Sequence, residues 1–272
     1  MPPACCEKSP CACLCRALSC CDVGAITDNR RGVIRGLVGV HIFCIMIGIF
    51  ACLGGMSNSM LKATAWASTE VDPVYDTGGD DPKIYIGFTG VLYSGKGGAA
   101  ENVAGLENNK FYKWNKFKDY APSSEEDGIE DCETASKGLV TTSLIGALSL
   151  LPSINSLLSR LDPAKDSGCN KFLSVIPSVL GAVNTLIAVA SFKSDCYDVF
   201  PSKLSVNGVK IADVAPELGA GFFFEVIIAV FGITTGLLML VLGLPPKSTE
   251  EAGALKDGEG GSDVAAKGDD YL

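Results

Sequence analysis

The chain has 272 residues, 47% of them hydrophobic, with a mean hydropathy of +0.30, yet it carries 31 acidic against 22 basic side chains for a net charge of −9. That mixture is expected of apolar blocks separated by acidic loops rather than of one evenly mixed soluble core. The negative charge argues against a nucleic-acid partner.

The opening segment, residues 1–32, is set apart by its cysteines: Cys5, Cys6, Cys11, Cys13, Cys15, Cys20 and Cys21 fall within the first 21 positions. Thiols stay reduced in the cytosol and pair in oxidising surroundings, so their chemistry depends on the orientation of the chain. Residues 33–56 then run apolar, and similar runs follow at 139–160, 172–192 and 219–244. Each is about 20 residues or longer, which at about 1.5 Å per residue crosses a hydrocarbon layer of about 30 Å. In lipid, only helices and closed barrels satisfy their backbone groups. The expected fold class is a mainly α membrane protein, a four-helix transmembrane bundle with a small extracellular antiparallel β-sheet built from the two external loops. About 32 residues precede the first run, too many for a cleaved signal peptide, so that run is expected to stay as a signal anchor.

Lysine and arginine near the helix ends set orientation. Arg30, Arg31 and Arg35 stand at the start of the first run, whereas 57–137 holds eight lysines and no arginine against fourteen acids. Both termini are therefore expected in the cytosol, in a multi-pass protein of the plasma membrane or another secretory-pathway membrane. The short cytosolic loop 161–171, with Arg160, Lys165 and Lys171 in or beside it, agrees.

The first external loop, 57–138, is too long for a connector between packed elements and is expected to fold as a subdomain. Residues 83–95 (KIYIGFTGVLYSG) and 110–117 (KFYKWNKF) are rich in β-branched and aromatic residues, and both read as strands; 63–71 alternates less cleanly and is a weaker candidate. In the second external loop, 193–218, two short runs flank Asn207-Gly208, a pair that a type I′ turn favours. A lone hairpin is barely stable in water, so this one is expected to extend the sheet of the first loop. The cytosolic tail 245–272 is acidic, Gly-rich and poor in large apolar residues, the composition of a disordered segment. It ends in Asp270, Tyr271 and Leu272.

Compartment sorts the twelve cysteines. On the external side only Cys132 and Cys196 remain, one just before the second span and one just after the third. A disulfide between them is expected, with two free thiols as the alternative; it would add roughly 2–4 kcal/mol by restricting the unfolded chain. The seven amino-terminal cysteines lie on the reducing side, near Arg16, Arg30 and Arg31. Zinc needs four ligands at folded spacing, and Cys11, Cys13 and Cys15 alternate too tightly, so no metal and no cofactor is expected. Reversible S-palmitoylation suits a juxtamembrane cluster better, an unmodified tail being the other reading.

Of the polar residues inside the spans, His41, Asn184 and Glu225 are the candidates for function. An intramembrane carboxylate is costly and is a functional-site hypothesis by default. At about 1.5 Å per residue Asn184 and Glu225 are nearly level, which would let them share a hydrogen bond and fix the third and fourth helices, while His41 is too low to reach Glu225. The plainer reading is that all three only hold helices together. Gly32/Gly36 and Gly232/Gly236 permit close helix approach, and Pro152 and Pro177 can kink their helices. No catalytic set is found: the one histidine lies in a span, and neither a phosphate-binding glycine loop after a strand nor a nucleophile elbow occurs.

The four spans, the long strand-bearing first loop and the short second one resemble the claudin and peripheral myelin protein superfamily, which includes channel γ subunits and amastins. Residues 131–139 (DCETASKGL) resemble its entry into the second span, and 219–233 (GAGFFFEVIIAVFGI) its glycine-led fourth span. Of the claudin first-loop signature, Trp…Gly-Leu-Trp…Cys…Cys, only GFTGVL at 87–92 is similar, and Cys132 has no second cysteine in its loop. Tyr271-Leu272 resembles a claudin-like carboxyl-terminal ligand for a PDZ domain, with Asp270 where Ser or Thr is usual.

These readings give a non-enzymatic, claudin-like tetraspan that organises membrane or serves as an accessory or structural subunit of a larger assembly, through lateral and external-loop contacts. The expected partners are the lipid bilayer, other membrane proteins or further copies of the chain, and a PDZ-type cytosolic protein. The alternative is an ion or proton channel or transport component using Glu225, Asn184 and His41.

Overall fold

The computed structural model describes residues 29–53, 57–73, 80–96, 102–103, 105–162, 165–206 and 209–242. Helix α1 (Arg30–Leu53) precedes the short α2 (Asn58–Thr64). Strands β1 (Ala67–Pro73), β2 (Asp80–Ile86), β3 (Gly90–Lys96), β4 (Asn102–Val103), β5 (Leu106–Glu107) and β6 (Lys110–Lys113) follow. After α3 (Trp114–Phe117) and a 3-10 turn (Lys118–Tyr120), α4 (Glu126–Leu148) and α5 (Leu150–Ser159) form one long, broken helix. Helix α6 (Gly168–Phe192) ends in a π turn (Lys193–Tyr197); β7 (Lys203–Val206), β8 (Val209–Val214) and β9 (Glu217–Leu218) then lead to α7 (Ala220–Val241).

Four helical stretches are long and apolar enough to cross a membrane: Arg30–Cys52, Glu126–Ser159, Gly168–Tyr197 and Ala220–Val241. Their inner face mixes apolar side chains with small polar ones. Ser143, Ser153, Ser178, Thr185, Thr235 and Glu225 are buried among the helices beside Ile34, Leu157, Ile228 and Met239, while Phe43, Met46, Leu180, Phe223 and Leu237 are each more than half exposed. A water-soluble bundle exposes few such apolar side chains; this arrangement suits an apolar solvent.

The second helix starts thirteen positions before the expected span, at Glu126 rather than 139. Ile129, Cys132, Ser136 and Leu139 are buried at helical spacing, and Glu126 and Asp127 complement the positive end of the helix dipole. An amphipathic helix thus projects beyond the apolar run. At the other end the run breaks at Ser149. Pro152 has no N–H, and its ring would meet the Leu148 carbonyl four residues back, so it occupies the first turn of the new helix α5, a kink of the kind expected. Pro177 lies inside α6.

Of the two glycine pairs, only one makes a helix contact. A Cβ on Gly232 would lie 2.9 Å from Ala182 Cβ and one on Gly236 2.9 Å from Val179 Cγ2, so α7 packs closely on α6 there. Among the described residues Gly36 has nothing within 4 Å, and the nearest described atoms to Gly32 belong to Asn29. Four-residue spacing selects a face but does not say whether a neighbour covers it. An approach the spacing did not flag joins α4 and α6: a Cβ on Gly181 would come within 2.8 Å of the Gly146 carbonyl oxygen.

The sheet runs in the order β6-β3-β2-β1-β8-β7, antiparallel throughout, with β9 also pairing β1. Val71 faces Val214 across the β1–β8 junction, so the second loop does extend the sheet of the first. Two strand assignments change. Residues 83–95 are not one strand but part of the hairpin β2–β3, with Ile86 opposite Val91. Gly90 has φ +154°, and a Cβ there would lie 2.1 Å from the Tyr112 carbonyl oxygen, so the chain can reverse only with glycine in that place. Residues 110–117 are strand only to Lys113; Trp114 and Phe117 are then buried three apart on one helical turn.

Trp66 binds this sheet to the bundle. Its ring centroid lies 4.2 Å from that of Phe88, 4.9 Å from Phe192 and 6.2 Å from Phe222, so turn, α6 and α7 meet on one indole. Trp114 braces the same turn by donating from Nε1 to the Phe88 carbonyl at 2.8 Å.

Candidate functional site

Glu225 is fully buried on the inner face of α7. Its Oε1 accepts a hydrogen bond from Ser143 Oγ of α4, and Ser143 Oγ in turn contacts Cys52 Sγ of α1 at 3.2 Å. A polar chain therefore crosses three helices. Glu225 Oε2 has no hydrogen-bond partner among the described residues.

Asn184 does not join it. The expected Asn184–Glu225 hydrogen bond is absent: Glu225 is held by Ser143, and Asn184 sits on a half-buried face of α6 while its neighbour Thr185 faces inward against Gly146. Equal depth is not equal direction, because each residue turns a helix by about 100°. His41 is buried in α1, and its Nδ1 donates to the Leu37 carbonyl at 2.7 Å; Nε2 is left without a partner among the described residues. The three candidates thus stand apart, and Ser143 is what Glu225 meets.

Cys132 and Cys196 are buried with their sulfurs at disulfide distance and their Cα atoms 4.6 Å apart. The pair links the projecting part of α4 to the π turn that ends α6, two helices rather than two loops.

At the opposite end of the bundle lies a cluster that sequence reading treated only as orientation signals. Asp166 and Arg160 are fully buried. Arg160 Nε donates to Asp166 Oδ1 at 3.0 Å, Arg30 pairs with the other carboxylate oxygen, and Arg160 Nη2 donates to the Leu242 carbonyl at 3.1 Å. One arginine–aspartate network thereby ties the start of α1, the end of α5, the loop before α6 and the end of α7. Asp166 is one of two acids in a loop that also holds two lysines, so nothing in the sequence marked it.

The sheet presents two charged surfaces. Glu70, Asp72, Asp213 and Glu217 line a groove of about 440 Å³ over β1, β8 and β9, together with Lys83, which pairs with Glu70. On the β6 edge Lys110, Lys113 and Lys116 surround Phe111, Tyr112 and Tyr120 in a depression of about 340 Å³. Burial pushes the Tyr120 phenol above its ordinary value, and the hydrogen bond from Lys110 to Glu107 raises the Lys110 ammonium. Nearby, Lys118 donates to Glu130 at 2.8 Å, which lowers the Glu130 carboxyl below its ordinary 4.5.

Cys5, Cys6, Cys11, Cys13, Cys15, Cys20 and Cys21, the Asn207-Gly208 turn and the terminal Asp270, Tyr271 and Leu272 lie outside the described residues. No protein-family model matches the chain, and no curated protein matches it.

Proposed function

We propose that this protein is a non-enzymatic tetraspan that organises membrane, or serves as an accessory or structural subunit of a larger membrane assembly, through lateral and external-loop contacts. The observation that carries the reading is the platform: a seven-stranded sheet drawn from two distant segments, held to one end of the bundle by Trp66, where the Cys132–Cys196 pair also ties α4 to the end of α6. It offers opposite charge on separate surfaces. Obvious recipients are further copies of the chain or other membrane proteins, and the more-than-half-exposed apolar side chains of the helices suit lipid and lateral neighbours. In this reading the sheet is external and both termini are cytosolic in the plasma membrane or another membrane of the secretory pathway. Palmitoylated amino-terminal cysteines and a PDZ-type ligand at Asp270, Tyr271 and Leu272 would add cytosolic anchorage. Kinship with the claudin and peripheral myelin protein superfamily belongs to the same proposal, supported by four candidate spans with strands in both sheet-side segments.

Affinity purification in mild detergent followed by mass spectrometry tests it. Recovery of a companion membrane protein, or of more than one copy per particle, is expected; a lone monomer sinks the reading. Proton or ion transport is the second reading, favoured by one observation, a fully buried carboxyl in a polar chain across three helices. It requires flux in liposomes that Glu225→Gln abolishes.

A further inference from the structure

The two charged surfaces of the sheet complement each other. The groove of about 440 Å³ over β1, β8 and β9 is lined by four carboxylates, those of Glu70, Asp72, Asp213 and Glu217, against one ammonium, Lys83. The depression of about 340 Å³ along β6 is lined by Lys110, Lys113 and Lys116 against one carboxylate, Asp119. Glu70 pairs with Lys83, Asp213 with Lys210, and Lys110 with Glu107. Asp72 and Glu217 in the groove, and Lys113 and Lys116 on the edge, are exposed and have no ion-pair partner among the described residues.

Strand register sets the two surfaces at one height. Glu217 pairs with Ser68, Ser68 with Tyr85, Tyr85 with Leu92 and Leu92 with Phe111, so Glu217 and Phe111 stand level across the sheet. By the same route Thr69 is level with Lys110. Lys113 is two positions from Phe111, about 7 Å along the strand, within a lysine's reach of the Glu217 level. Within one chain the surfaces cannot meet, because β1 and β6 are three strand spacings apart, about 14 Å. Two copies in the same membrane keep these heights however they turn about its normal, so the edge of one can face the groove of the other without tilting. β6 ends the sheet, which leaves its outer side open to such a neighbour.

We propose that a second copy of this chain fills the groove: the β6 edge of one copy docks over β1, β8 and β9 of the next, with Lys113 and Lys116 against Glu217 and Asp72. The inference rests on the reading of the protein as a tetraspan that assembles through external contacts, and it names the contact. The two surfaces differ, so the arrangement is head-to-tail, and each copy can hold a neighbour on either side. Half-buried Phe111, in the depression, adds apolar contact at the centre of the lysines. Exposed charges attract over a screening length of about 10 Å at 0.1 M salt and about 3 Å at 1 M, so the contact is salt-sensitive.

The full chain in mild detergent at low salt, half of it isotope-heavy, supplies the test, with a carbodiimide that joins carboxylate to amine without a spacer. Peptides linking a light chain to a heavy one, from Lys113 or Lys116 to Glu217 or Asp72, are expected, and at 1 M salt they should fall by about tenfold or more. Lys113→Glu with Lys116→Glu should abolish assembly, and so should Asp72→Lys with Glu217→Lys. Mixing these two double variants, one light and one heavy, should restore it, with links only between unlike chains; a misfolded variant could not be rescued in this way. Particles of several copies that lack these links, or that persist in each double variant alone, overturn the contact and leave the proposed function standing. A single copy bound to a companion membrane protein does the same. A lone monomer at low salt overturns both.

Discussion

Asp166 shows what single positions decide. It is the carboxylate that pairs with fully buried Arg160 and nearly buried Arg30, and removing one partner of such a buried network is costly. Asp166→Asn should therefore lower unfolding stability by about 3–5 kcal/mol, read as a drop in the denaturation midpoint in detergent. The exposed pair Lys118–Glu130 behaves differently. The bond to Lys118 depresses the Glu130 carboxyl below 4.5 in the folded state, so its contribution is complete at neutral pH and fades as pH falls through that lowered value. In Lys118→Met the acid titration of Glu130, followed by carboxyl NMR, should shift upward toward 4.5; an unmoved curve would disprove the pairing. Both effects were hidden in the sequence, where Asp166 and Glu130 look like ordinary loop and surface acids. Whether an acid meets a cation depends on chain segments far away in sequence.

Helices and strands were legible to different degrees. Apolar length identified all four long helices, because a run of about 20 apolar residues has few alternatives. It missed the first thirteen residues of the second helix, where eight positions are charged or polar and the signal is the weaker one of buried residues three or four apart. The strand reading of 83–95 failed at Gly90, since a φ of +154° reverses the chain and no composition window registers a single dihedral. Small residues were read correctly only where a neighbour existed. Gly181→Ala should force α4 and α6 apart, with a loss of about 1–3 kcal/mol. Gly36→Ala should gain about 0.5–1 kcal/mol, because alanine is the better helix former and no atom of the described residues lies within 4 Å. Thermal melts of the two variants in the same detergent compare them directly, and a gain for Gly181→Ala would refute the close contact.

At the scale of the molecule, the indole of Trp66 joins the sheet to the bundle, and the Cys132–Cys196 pair joins α4 to the end of α6. A crosslink between residues 64 apart restricts the unfolded chain, so reduction should cost about 2–5 kcal/mol and lower the thermal midpoint. On a gel the oxidised protein should run ahead of the reduced one; identical mobility, with both thiols open to alkylation, would exclude the bridge. What the sequence determined by itself was the inventory: four apolar helices, a strand-forming segment in each intervening stretch on one side, and two cysteines at matching heights. Those follow from local composition and from distance along the chain. The tertiary structure alone decided the partners, that Glu225 meets Ser143 and not Asn184, that Gly232 is covered and Gly36 is not, and that the arginines at 30 and 160 turn inward to Asp166. The physical reason is rotation: depth along a helix accrues with residue number, whereas direction around it is settled only when neighbouring helices pack.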